Sequence, residues 1–146
     1  MQEALGLARM GWGLTSPNPM VGAVVVRDGV IIGRGYHFKA GEAHAEVNAF
    51  ADVARHGFDA KGATLYVTLE PCPMCAGAIL SARIPRVYYG ARDRAMGACG
   101  GVLNLFMEDF PARPALVGGV LREECHQVLA DFFRSLRGPN GQKREI

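Results

Sequence analysis

Residues 64–76 read Thr64-Leu65-Tyr66-Val67-Thr68-Leu69-Glu70-Pro71-Cys72-Pro73-Met74-Cys75-Ala76. The first five, with Leu65-Tyr66-Val67 at their centre, are a short strand over 64–68. Glu70-Pro71 then opens a helix over 72–82, because proline at a helix start leaves no hydrogen bond unmade. Two thiols stand in that first turn, where the helix dipole favours the thiolate. A second helix, over 44–55 and closed by Gly57, begins His44-Ala45-Glu46. The two helix starts are expected to face each other across a metal ion.

One imidazole and two thiolates suit zinc, and a structural site normally completes the tetrahedron with a fourth protein ligand. No fourth ligand stands at motif spacing here. His44, Cys72 and Cys75 therefore leave one coordination position for water, the arrangement of a catalytic zinc. Glu46, two residues beyond His44, is read as a base over that position and not as a ligand. Taken alone, Cys-x-x-Cys is also a redox motif or half of a structural zinc site, and His-x-Glu is a common helix surface. Together they match the pattern of zinc deaminases that act on nucleobases. A non-enzymatic protein, RNA-binding or with a structural zinc, is the competing reading, in which replacing Glu46 by Ala changes nothing measurable.

Working outward, residues 2–10 carry apolar side chains at helical spacing and end at Gly11 and Gly13. Ser16-Pro17-Asn18-Pro19 turns the chain and fixes two φ angles. Asn18 either serves that turn alone or has its amide aimed at a ligand. Residues 21–27 and 30–36 are β-branched runs joined by Asp28-Gly29, a hairpin signal. His37 and Lys39 follow the second strand, in a place that suits substrate contacts and exposed loop residues alike. Beyond the metal helix come a strand over 86–89, a Gly-rich loop over 97–101, a brief helix over 102–106 and a strand over 115–117. A last helix over 122–136 turns Cys125, Val128, Leu129, Phe132, Phe133 and Leu136 to one side, while the helix over 44–55 is expected to bury Ala43, Val47, Phe50, Ala51 and Ala54. Helices alternating with strands after a hairpin give an α/β fold, a three-layer α/β/α sandwich on a five-stranded mixed sheet.

The 146 residues, 49% hydrophobic, suit one domain, expected over 1–138, with a basic tail over 139–146. A net charge of +2 falls short of a dedicated nucleic-acid binder but permits RNA binding. The start of the chain has neither a basic n-region nor a long apolar run, so a cytoplasmic location is expected. Cys99 and Cys125 then read as a loop thiol and a buried helix residue in a reducing compartment.

Gly62 through Ala78, Gly90-Ala91-Arg92-Asp93 and Asp131-Phe132-Phe133-Arg134 resemble the bacterial tRNA adenosine deaminases. In contrast, Ser16-Pro17-Asn18-Pro19-Met20-Val21-Gly22-Ala23, Gly35-Tyr36-His37 and Lys39-Ala40-Gly41 are similar to the riboflavin-pathway pyrimidine deaminases. The resemblance implies zinc-dependent deamination of adenosine in tRNA, at the wobble position, with a small aminopyrimidine or a free base as the alternative substrate. It implies a substrate pocket of Asn18, His37, Ala45 and Pro71, with Asp93 near the ribose. It also implies RNA contacts from Arg134, Arg137, Lys143 and Arg144, and a homodimer. His37 stands where the tRNA enzymes typically have Asn, and the tight Cys-x-x-Cys departs from the riboflavin enzymes, which separate those cysteines further.

Overall fold

The computed structural model describes residues 1–137, so Lys143, Arg144 and the expected tail lie outside the described residues. Helix α1 (Gln2–Arg9) leads into a hairpin of β1 (Gly22–Arg27) and β2 (Val30–Tyr36). Asp28 and Gly29 both take positive φ, 51° and 76°, as a tight hairpin turn demands. Helix α2 (Ala45–Arg55), strand β3 (Thr64–Leu69), helix α3 (Pro73–Ser81) and strand β4 (Arg86–Ala91) follow. Strand β5 (Ala115–Val117) and helix α4 (Arg122–Leu136) complete the fold. The brief helix expected over 102–106 is instead a single 3₁₀ turn, Leu105–Met107, whose Phe106 amide donates to the Asn104 side chain.

The sheet runs β2-β1-β3-β4-β5. β1 is antiparallel to β2 and β3, while β3, β4 and β5 are parallel, so the sheet is mixed. Each face carries its own core. Leu65, Val67, Val87 and Tyr89 pack with Ala49 and Val53 of α2 and Ala76 and Ile79 of α3. On the opposite face Leu5 and Ala8 of α1 pack with Cys125, Val128 and Phe132 of α4. The architecture is the expected three-layer sandwich.

The inner face of α2 differs from expectation. Ala45, Ala49 and Val53 are buried, whereas Ala43, Ala51 and Ala54 are exposed. The sheet dictates this choice: a Cβ on Gly35 would lie 2.3 Å from the Ala49 amide, and one on Gly33 would lie 2.4 Å from the Val53 side chain. Only small residues on both sides allow so close an approach, and Ala45-Ala49-Val53 is the stripe that meets the two glycines. On α4, Cys125, Val128 and Phe132 are buried as expected, with Phe133 left exposed. Cys99, read as a loop thiol, is 2% exposed.

Candidate metal centre and substrate pocket

β3 delivers the chain at its carboxyl end to Glu70, Pro71 and Cys72, and Cys72 is the N-cap of α3. His44 is the N-cap of α2. Both helices therefore start at one end of the sheet, where open α/β folds form their crevices. His44, Cys72 and Cys75 come together there, with ligand atoms within 4.8 Å of one another. His44 Nδ1 lies 3.6 Å from Cys72 Sγ and 3.5 Å from Cys75 Sγ. For a tetrahedral zinc, Zn–N and Zn–S bonds of about 2.05 and 2.3 Å put N and S about 3.6 Å apart. The donor set fits that ion in kind and in spacing.

The two thiols lie side by side, so each shifts the proton affinity of the other. The Cys75 thiol beside it holds Cys72 down to about 5. Cys75 is pushed up by the neighbouring Cys72 thiolate and by burial. A divalent cation between them removes that conflict and lets both ligate as thiolates. Glu46 is 4% exposed. Burial pushes its carboxyl above the usual carboxylate range, and Oε2 accepts from Cys75 Sγ at 3.3 Å.

His44, Glu46 and Cys72 line a cavity of about 510 Å³, together with Asn18, Pro19, His37, Ala45, Leu69, Glu70, Met74, Asp93 and Met96. His37 Nδ1 is 3.0 Å from the Ala43 carbonyl, which only accepts, so Nδ1 carries the proton. Nε2 is then the acceptor for the Asn18 amide at 3.4 Å. The His37 ring also meets His44 edge to face, with centroids 5.4 Å apart. Asn18 therefore does more than turn the chain: it belongs to a hydrogen-bonded wall reaching the metal ligands.

Asp93 Oδ1 accepts from the Ala95 and Met96 amides at 2.9 and 3.1 Å. Pro71 does not line the cavity. It is fully buried, and its carbonyl accepts from the Ala98 amide at 2.8 Å, so it serves the packing of the loop below. Arg134 and Arg137 lie on the exposed surface near the end of α4, and Arg134 pairs with Asp131 at 3.1 Å. Neither lines the pocket.

Sequence reasoning missed the surface next to the cavity. Pro19, Leu69, Asp93 and Met96 also line a second cleft of about 970 Å³, which Arg92, Arg94, Arg122 and His126 make basic and Phe133 makes partly aromatic. The clustered Arg92 and Arg94 were legible as charges, but not their meeting with α4. Glu70 was likewise read only as a helix start, although it is a buried carboxylate at 2% exposure.

Comparison with known proteins supplies the last observations. The family model described as the cytidine and deoxycytidylate deaminase zinc-binding region matches residues 1–91. The tRNA-specific adenosine deaminase of Bacillus subtilis is 44% identical over 124 residues, spanning 80% of this chain and 77% of that protein. A solved structure of a tRNA deaminase, described as performing A-to-I editing at the wobble position of transfer RNA, superposes with a TM-score of 0.75 at 36% identity, covering 88% of this chain and 97% of that one. The diaminohydroxyphosphoribosylaminopyrimidine deaminase/5-amino-6-(5-phosphoribosylamino)uracil reductase of Thermotoga maritima superposes with a TM-score of 0.79 at 39% identity. That match covers 91% of this chain but only 39% of the Thermotoga protein, so the chain spans about two-fifths of it.

Proposed function

The chain belongs to the cytidine and deoxycytidylate deaminase zinc-binding family, and from that premise we propose that it converts adenosine to inosine in RNA, at the wobble position of tRNA. The observation that carries this reading is the joining of the metal-side cavity to a basic cleft through Asp93 and Met96. A base flipped out of a loop fills the inner cavity, and the adjoining phosphates need a cationic surface beside it. The 44% identity to a tRNA-specific adenosine deaminase supports the same substrate.

In this reading His44, Cys72 and Cys75 hold zinc, which when bound supplies Lewis-acid polarisation of a water and so lowers its pKa. Glu46 takes a proton from the attacking water and hands it to the ring nitrogen next to the amine-bearing carbon. It then moves the second proton from the new C–O group to the amine. The C–N bond breaks, ammonia leaves, and the carbonyl of the product remains. Asn18, His37 and Ala45 hold the base, and Asp93 faces the ribose. Two copies act as a homodimer in the cytoplasm, where tRNA is found; the exposed Met74, Val102, Leu103 and Met107 around the metal helix and the following loop suit a partner surface. Among the described residues no helix is long and apolar enough to cross a membrane.

The Asn18–His37 wall favours a second reading, because His37 replaces the Asn expected of the tRNA enzymes: deamination of the riboflavin-pathway aminopyrimidine phosphate. Ammonia release by zinc-loaded protein separates the two. Turnover of an anticodon stem-loop bearing wobble adenosine, abolished by Glu46→Ala, is the expected result. Turnover of the aminopyrimidine phosphate alone overturns the tRNA assignment.

A further inference from the structure

Glu70 stands between the strand that leads to the metal and the loop that walls the substrate cavity. Its carboxylate has no cationic partner among the ion pairs of the described residues. Three backbone amides satisfy it instead. Oε1 accepts from Gly101 at 2.7 Å and from Cys99 at 3.0 Å, and Oε2 accepts from Asp93 at 3.0 Å. The 93–101 loop is thus wrapped around one side chain. Gly97 and Gly101 are glycine for the same reason, since a Cβ on either would lie 2.6 Å from Oε2 and 2.3 Å from the Asp93 carbonyl. Neither glycine has a positive φ, so the requirement is room and not backbone freedom.

The clasp joins two parts of the site. The Glu70 amide donates to Ala91 at 2.8 Å and the Ala98 amide donates to Pro71 at 2.8 Å, so the loop is pinned beside the start of α3. At its near end, Asp93 uses its own Oδ1 to hold Ala95 and Met96. Asp93 and Met96 are residues that the cavity and the basic cleft have in common. We propose that Glu70 is a positioning residue: its buried carboxylate sets where Asp93 and Met96 stand and so governs substrate binding, without taking part at the metal. This rests on the deaminase reading only for the choice of substrate.

The discriminating variant is Glu70→Gln. The amide keeps an oxygen for Cys99 and Gly101 but turns an NH₂ group toward the Asp93 amide, donor against donor. KM for whichever substrate the native protein deaminates is expected to rise roughly tenfold, the effect of losing one charged hydrogen bond. The kcat and the zinc content are expected to hold. The Asp93→Ala variant should show a similar KM rise, and the double variant no further rise, because both act through one loop. A fall in kcat at unchanged KM with zinc retained, or strictly additive losses, would overturn the assignment. Hydrogen exchange on the native protein gives a test that needs neither a folded variant nor turnover. The Asp93, Cys99 and Gly101 amides are expected to exchange slowly, and fast exchange at Cys99 and Gly101 would also overturn it. Failure of the native protein to deaminate either substrate would count against the functional reading and leave the exchange result to decide Glu70.

Discussion

Glu46 and Asp93, the two acidic side chains to which the proposed mechanism gives separate parts, sit in different surroundings. The Glu46 carboxyl lies beside Cys75 at 3.3 Å and is raised by burial, which suits a group that must both take and return a proton. Asp93 is only half-buried, and its Oδ1 accepts from the Ala95 and Met96 amides. Changing Glu46 to Gln keeps size and polarity but removes the base, so kcat should fall by about 10²–10⁴, the usual worth of a general acid–base group. Zinc content, measured by atomic absorption, should not change, because Glu46 is not among the clustered ligands. Loss of zinc in that variant would instead make Glu46 a ligand or a support for one.

At the scale of elements, the site depends on how closely α2 lies on the hairpin. His44 caps α2 and Glu46 sits in its first turn, and the helix is set by the contact of Ala45, Ala49 and Val53 with Gly33 and Gly35. Gly35→Ala should therefore destabilise the fold by about 1–3 kcal/mol, the range for overpacking, seen as a lower urea midpoint. It should also weaken zinc binding, because His44 moves with the helix; unchanged metal affinity would show that the helix start is anchored independently.

The far end of α2 makes a separate prediction. Asp52 Oδ2 accepts from the Arg34 amide of β2 at 2.8 Å, and Oδ1 takes Arg55 at 2.8 Å. Burial alone would raise the Asp52 carboxyl, but the Arg34 amide with His56 and Arg55 holds it below the usual value. A depressed folded pKa adds stability above the unfolded pKa and loses it as pH falls through the folded one. Asp52→Asn should cost about 1 kcal/mol at neutral pH. The gap between native and variant, measured in chelator, should close as the pH falls from the ordinary Asp value of 3.8 through the lower folded one. A gap that persists there would assign the effect to packing.

The same helix marks where sequence was readable. Its limits, the hairpin turn and the three metal ligands followed from local pattern, since caps, turns and ligand spacing are encoded within a few residues. Its buried face did not, because alanines occur on several sides and the glycines that select one stripe lie on β2. Glu70 escaped for a related reason: its amide partners are 23 to 31 positions away and carry no side-chain signature.

Across the whole molecule, a net charge of only +2 conceals a local concentration of cations. β4 ends at Ala91, so Arg92 and Arg94 leave the sheet beside the metal helix, while α4 begins with Arg122 and brings His126 one turn later to the same cleft. Parallel pairing of β4 with β5 is what carries the chain back to this end of the sheet and sets α4 there. On the proposed function the inner cavity takes the base, and the cleft takes the phosphates that continue beyond it. Replacing Arg94 and Arg122 together by Gln should therefore raise KM for an RNA stem-loop and leave kcat near its native value. The slope of log KM against log salt should flatten by about 1.4–1.8, since each lost phosphate contact removes roughly 0.7–0.9 of counterion release. A free base, which carries no phosphate beyond its ring, should show neither change. Equal salt slopes for the native and variant proteins on RNA would place the phosphate path elsewhere on the surface and leave the cleft without a part in substrate binding.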